Sequence, residues 1–585
     1  MTLTTIDWSF IILFFLVSLF IGIWVAKRSG QSSSEFFLSG RNMPWWLLGV
    51  SMVATTFSAD TPNLVTDLVR KEGVAGNWAW WAFLLTGMLT VFVYARLWRR
   101  SGVMTDLEFY EMRYSGKAAA FLRGFRSLYL GVIFNILVMA TVCLAAIKIG
   151  AVMLDFKPIT TLLLASIITV AYSTLGGLRG IIITDFFQFG IAMIGTVLAA
   201  IYLLPEAGGL ENVLNHSNVS DKLNILPDFN NSEQLWSLLI IPLAVQWWAS
   251  YYPGSEPGGG GYIAQRMLAA KDETNAVGAT LLYNIAHYAL RPWPWIIIAL
   301  CSLVVFPDLD SIQAAFPQID PSIIDDDLAY SAMLTKLPHG LLGLVLASLI
   351  AAFMSTISTH LNWGSSYIAN DFYRRFINPE ATEKQLVNVG RISTVGLMVF
   401  AAAAALGLKN AKEAFDIIVL VGAGTGLIFI LRWFWWRINA YSEIAAMIIS
   451  FVVAIYFKFI HTKLGFEPLA GHTELISSVA ITTIGWLLVT YLTRPTERET
   501  LVGFYEKIRP ANIGWQAVVG QQAGPATGKL PMQILGMLSG CIAVYSALFA
   551  TGFFIYGNTT NALMASVLTL ISSGSLFVIW KRINT

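Results

Sequence analysis

The chain has 585 residues, of which 56% are hydrophobic and 12% charged. That charged share is about half the ~25% of soluble domains, and the mean hydropathy is +0.65. Such a composition excludes a water-soluble enzyme and a disordered tail, and a net charge of +2 leaves no basic field for nucleic acid. What remains is an all-α polytopic membrane protein, with the lipid bilayer as its solvent.

Helices long enough to cross a bilayer need ~20 mostly apolar residues. Fifteen stretches qualify: 7–26, 43–69, 77–99, 119–153, 158–177, 181–204, 234–264, 273–305, 338–370, 388–407, 413–436, 440–460, 474–493, 532–556 and 562–580. The first is followed by Lys27 and Arg28 rather than a small-residue cleavage site, so it reads as a span and not a removable signal. Most of the 37 Lys and Arg fall in alternate loops, above all 96–126 and 494–529. The basic-side rule then predicts an N-terminus outside and a C-terminus in the cytoplasm, with the plasma (inner) membrane as location. The outer connections 206–233 and 306–337 are acidic and rich in turn residues, as expected of short surface helices or lids. Cys143, Cys301 and Cys541 lie in or beside apolar runs without a CxxC partner, so they read as buried thiols rather than a zinc or redox site. The six histidines show no HExxH or comparable spacing, which argues against a membrane enzyme.

Polar residues inside spans carry the chemistry, because an ionisable group at the bilayer centre costs about 2.5–3.5 kcal/mol. The second span contains Ala54-Thr55-Thr56-Phe57-Ser58-Ala59-Asp60-Thr61-Pro62. Proline and a polar run predict an unwound segment whose freed carbonyls suit a cation and whose half-helix ends face a solute. Asp60 in it needs a partner. The sixth span places Asp185 among Ile and Phe, as a carboxylate to be paired, protonated or cation-bound. The seventh reads Gln246-Trp247-Trp248, then Pro253 to Gly261, a second interruption. The eighth carries Arg291 in mid-span. The ninth sets Ser355, Thr356, Ser358 and Thr359 on about one face, four hydroxyl oxygens of the kind a hard cation prefers. Lys148, near the end of the fourth, is compatible with snorkelling. Two interrupted spans five positions apart point to inverted repeats around a midplane site.

These features resemble the sodium:solute symporter family of sodium/glucose, proline and sialic-acid cotransporters. Gly176–Gln188 is similar to its GGLxxxxxTDxxQ motif, and Gln265–Lys271 to its QRxLAAK motif. The resemblance implies a LeuT-type fold of two inverted five-helix repeats. The expected units are an extra N-terminal helix in 1–30, repeats at 43–204 and 234–436, and additional C-terminal helices in 440–585 with an inner polar linker at 494–531. It also implies a main sodium site from the carbonyls of Ala54, Phe57 and Ala352 and the hydroxyls of Ser355 and Thr356. A second sodium site maps to Asp185, Ser355, Ser358 and Thr359. Substrate positions of the sugar members match Asn77, Gln246 and Arg291, where those members carry Glu, Asn and Lys. Asp60, Thr61, Trp80 and Trp247 complete the substrate-binding candidates. No counterpart of a tenth-core-helix glutamine is found near Phe415 and Asp416, so glucose specificity does not follow. The expectation is a sodium-coupled importer of a sugar, polyol or sugar acid/carboxylate, with Na+ as coupling ion and no other cofactor. Proton coupling, or a sensor or channel on the same fold, are the alternatives.

Overall fold

A computed structural model describes residues 3–251, 261–408, 419–420, 422–512, 514–520 and 529–584. The expectations placed on Phe415, Asp416 and residues 253–260 lie outside the described residues. The molecule is helical, and the described residues contain no strand beyond one isolated bridge between Met43 and Ala270.

In chain order the elements used below are α1 (Thr5–Ser29), α2 (Trp45–Thr56), α3 (Thr61–Glu72), α4 (Val74–Ser101), α5 (Gly116–Leu154), α6 (Pro158–Glu206), α7 (Tyr262–Ala269), α8 (Glu273–Val305), α9 (Leu341–Ile377), α10 (Glu383–Ala405), α11 (Ala440–Ile460), α12 (Gly471–Leu492), α13 (Arg498–Ile508), α14 (Leu530–Ile555) and α15 (Thr559–Ile583). Eleven of them are long and apolar enough to cross a membrane. The predicted second span is split as expected. α2 ends at Thr56, Phe57 leaves helical geometry (φ −88°, ψ 72°), and α3 resumes with Pro62 in its first turn. Each half has 12 residues, or ~18 Å at 1.5 Å per residue, so the break falls near the middle of a ~30 Å hydrocarbon layer.

The stretches 158–177 and 181–204 are two helices, labelled α6 together, that meet at Gly177, whose non-helical φ of 52° suits glycine. A Cβ there would come within 2.8 Å of the Phe36 carbonyl. The break therefore lets the chain at Phe36 pass close to α6, and Asp185 sits in the second of its two helices. α6 packs along both α1 and α9, and α2 lies against α6, α8 and α9. α8 also packs against α3, so both halves of the broken helix share one neighbour.

The connection 306–337 folds into short helices, Leu309–Ala315 and Leu328–Leu334 among them. Arg70 of α3 donates to Asp326 at 2.7 Å, to the Phe306 carbonyl at 2.8 Å and to Ser302 at 3.2 Å. Lys148 does not snorkel. Its ammonium is buried and donates to both oxygens of Asp327 at 2.8 and 2.7 Å, which removes the need to reach water. The segment 494–531 is more than a polar linker: α13 and Trp515 pack inward, and the Trp515 indole donates to the Trp433 carbonyl at 3.0 Å. The three cysteines are buried and unpaired.

Candidate functional site

Two polar clusters meet at the end of α2. The first gathers α2, α6, α7 and α9 around Asp185. Ser355 donates to one Asp185 oxygen at 2.6 Å, and Ser51 donates to the other. Arg266 of α7 donates from Nε to Ser51 at 2.8 Å, and from Nη2 to Thr55 at 2.8 Å and Thr359 at 2.7 Å. The same nitrogen lies 3.5 Å from Asp185, and both charged side chains are fully buried. Burying either charge alone would cost several kcal/mol, so the guanidinium, the carboxylate and the hydroxyls between them stand or fall together.

Thr356 donates to the Thr55 carbonyl at 2.7 Å, which ties α9 to the last turn of α2. The Ala54 carbonyl accepts the Phe57 N–H at 3.1 Å at the edge of the break. Of the expected sodium ligands, Ser355, Thr356, Thr359 and Asp185 thus come together beside Ala54 and Phe57, with Ala352 one turn earlier on α9. Ser358 instead turns to its own helix and donates to the Ser355 carbonyl at 3.1 Å.

A hydroxyl whose proton is committed to an acceptor keeps its lone pairs for a cation. Ser355 and Thr356 are in that state. Thr55 and Thr359 differ, since their oxygens already face the Arg266 guanidinium. The group therefore fits one cation beside the break more readily than a second one beside Asp185, where Arg266 already supplies positive charge.

The second cluster lies at the same end of α2, between α2, α4 and α8. His287 Nε2 is 2.9 Å from Arg291 Nη2, and His287 Nδ1 is 2.9 Å from the Thr56 hydroxyl. A guanidinium only donates, so Nε2 accepts and Nδ1 donates to Thr56. Arg291 also donates to the Thr56 hydroxyl at 3.2 Å, and its guanidinium lies 5.3 Å from the Trp295 ring centre. Trp80 stacks on Tyr288 at 5.9 Å and meets His287 edge-on at 5.6 Å. The Trp80 indole donates to Asn77 at 2.9 Å, and Gln246 donates to the Ala79 carbonyl at 2.8 Å.

Thr61 reaches back across the break to the Thr56 carbonyl at 3.4 Å. Asp60 sits beside Ser58 and Thr141, in the field of Arg291. Trp247 is held through its carbonyl, which accepts the Thr86 hydroxyl. Asn77, Trp80, Gln246 and Arg291 are thus linked through a few contacts, while Trp247 joins them only through the backbone next to Gln246. The arrangement combines flat aromatic faces with directed donors, which suits a small polar ring or a carboxylate.

Ser51, Thr55, Arg266 and His287 escaped the sequence reading as site residues. His287 carried a readable signal, its i, i+4 spacing from Arg291 on one helix face. Arg266 stood inside a motif that was noted, without its partner being evident.

The sequence model of the sodium:solute symporter family matches residues 36–450. A sodium/glucose cotransporter of Vibrio parahaemolyticus is 26% identical over 79% of this chain and 86% of its own length. A sodium/mannose cotransporter of Bos taurus is 25% identical over 81% of this chain and 82% of its own length. A sodium/myo-inositol cotransporter 2 of the same organism is 24% identical over 85% and 78%. Among solved structures, a substrate-bound outward-open Na+-coupled sialic acid symporter superposes with a TM-score of 0.66 at 21% identity, covering 84% of this chain and 99% of that one. This last likeness concerns the fold, a LeuT-type helical bundle.

Proposed function

Since the chain belongs to the sodium:solute symporter family and is a transporter rather than an enzyme, we propose that it imports a sugar, a polyol or a sugar acid together with sodium by alternating access. The observation that carries this reading is the placement of two neighbouring residues. Thr55 belongs to the Asp185–Arg266 cluster and Thr56 to the His287–Arg291 cluster. Both stand on the last turn of a helix that breaks at mid-membrane.

Sodium is proposed to bind beside the break, held by the carbonyls of Ala54, Phe57 and Ala352 and by the hydroxyls of Ser355 and Thr356. Fixing that backbone also fixes the Thr56 hydroxyl, and with it the orientation of His287 and Arg291 toward the solute. An ion that prefers the ordered break then favours the solute-competent state through differential affinity, typically a coupling of about 1–3 kcal/mol.

A second sodium at Asp185, Ser355 and Thr359 requires Arg266 to withdraw. One sodium per solute is therefore the proposed stoichiometry in the arrangement described, with Arg266 taking the electrostatic place of a second ion. The driving force is adequate. One charge crossing a membrane potential gains about 2.3 kcal/mol per 100 mV, or about fiftyfold accumulation of a neutral solute.

The solute reading rests on Trp80, Tyr288 and His287 as ring faces and on Arg291 as donor. The relatives named for glucose, mannose and myo-inositol lend support. The test is uptake into proteoliposomes of glucose, mannose, myo-inositol and sialic acid, under an inward sodium gradient and with choline in place of sodium. Concentrative uptake of at least one of them in sodium and not in choline is expected. Equal uptake in both media would refute sodium symport.

A further inference from the structure

The helices around the break enclose a second space that neither cluster uses. It is a cavity of about 310 Å³ between α1, α5, α6 and α9. Trp8, Phe156 and Thr161 line its shallow end, and Ala59, Phe353 and Met354 lie among its walls. Ala59 belongs to the non-helical break itself, and Phe353 and Met354 separate Ala352 from Ser355. The cavity therefore backs onto the backbone beside the proposed ion site.

The walls decide what can enter. Apart from the Thr161 hydroxyl and the Trp8 indole N–H, the lining side chains are apolar. A water needs two to four polar partners, and these two groups are all that the side chains offer. The cavity is continuous with the surface that meets the bilayer. Ile12 and Leu16 on α1 and Leu163 and Ile167 on α6 are exposed beside it, as befits lipid-facing positions of a multi-pass protein. It runs inward from helix ends: Trp8 is in the first turns of α1, and Phe156 lies between the end of α5 and the start of α6. From Thr161 to Ile168, both on its wall, α6 advances ~10 Å, so the cavity reaches from one interface toward mid-membrane. Next to the lining Phe156, Lys157 is exposed and is the N-cap of α6, with the exposed Asp155 two residues before it, so a cationic side chain and the positive end of a helix are available to a phosphate beside the mouth.

We infer that this cavity is a phospholipid site. One acyl chain fills it and packs against Ala59 at the break, and the headgroup phosphate lies at Lys157 and the start of α6. The bound chain is a wall of the ion-binding segment rather than bulk solvent. This inference stands apart from the identity of the solute and from the coupling ion.

The test uses the full chain in vesicles of phosphatidylethanolamine and phosphatidylglycerol, with a trace of phosphatidylethanolamine bearing a diazirine toward the end of one acyl chain. After irradiation, adducts are mapped by peptide mass spectrometry. Adducts are expected on the peptide containing Ala59 and on the Ile350–Met354 stretch, as well as on lipid-facing Ile194. Ala165→Trp, which fills the cavity from the α6 wall, should reduce the first two several-fold and leave Ile194 unchanged. Ala146→Leu, a milder filling from α5, should act in the same direction. Adducts at Ile194 with none at Ala59 in the unaltered protein would overturn the site, whatever the variants do. So would adducts at Ala59 that persist undiminished in a folded Ala165→Trp protein.

Discussion

The two sides of the Thr55–Thr56 step are built from different chemistry. On the Thr55 side, small hydroxyls surround one carboxylate and one guanidinium. Arg266 donates to Ser51, Thr55 and Thr359, and Ser355 to Asp185, over 2.6 to 2.8 Å. On the Thr56 side, rings of Trp80, Tyr288 and His287 meet at 4.4–5.9 Å, and Arg291 reaches Thr56 at 3.2 Å. The first is a closed lattice in which each member satisfies another, so its geometry is fixed. The second is built from ring faces and from the donors of Arg291 and His287. A device that couples an ion to a solute needs this asymmetry: one side that defines a state, and one side that reads it.

The largest effect is expected from breaking the lattice. Asp185→Ala leaves Arg266 buried without its counter-charge and should cost about 3–5 kcal/mol of stability, seen as a large fall in thermal denaturation temperature and the loss of transport. Adding Arg266→Gln to Asp185→Asn should recover much of the stability, since the two residues act as one unit. Independent, additive losses would show that the pairing is unimportant.

Next in size is the proposed ion site. Ser355→Ala with Thr356→Ala removes two of the proposed hydroxyl ligands and should raise the sodium concentration for half-maximal uptake more than about tenfold, or 1.4 kcal/mol. An unchanged sodium dependence would remove these residues from the site.

A smaller and more selective effect is expected at Thr56→Val, which keeps the shape and deletes the hydroxyl. Losing the bonds to His287 and Arg291 should cost about 1–2 kcal/mol, appearing as a raised KM for the solute, while sodium binding without solute is preserved. A change in both would mean that the two sides are not separable.

The smallest effect marks the boundary of the comparison. Asp272 caps α8 by accepting the Asn275 N–H at 2.8 Å, far from His287 along the helix. Asp272→Ala should cost about 0.5–1 kcal/mol of stability and alter neither cluster. The hydrogen bonds from Asn275 hold the Asp272 carboxyl below its usual range. Its contribution is therefore present above about pH 4 and fades as acid protonates it. Thermal denaturation of the two proteins should converge on acidification.

The sequence showed the parts of this arrangement that are written locally. The break was legible because Pro62 and a polar run fall inside one apolar stretch, and the hydroxyl face of α9 because its four members are adjacent. Asp185 stood out as a carboxylate among isoleucines. What could not be read were partnerships across the chain. Arg266 meets Asp185 across 81 positions and Thr55 across 211, and nothing in the periodicity of any helix records such distances. Ser51 looked like an ordinary helix serine, which more often bonds to its own backbone. Lys148 was compatible with snorkelling because its partner, Asp327, hides in a run of three aspartates in a distant loop. The break at Gly177 was also legible, as the gap between the stretches 158–177 and 181–204, which are two helices.

The most direct test of coupling through Thr55 and Thr56 is sodium binding to the purified protein, measured with radiolabelled sodium with and without a saturating transported solute. The solute should tighten sodium binding by the same factor by which sodium tightens the solute, and Thr56→Val should erase this factor while leaving sodium binding alone intact. Sodium affinity that is indifferent to the solute in the unaltered protein would contradict this coupling.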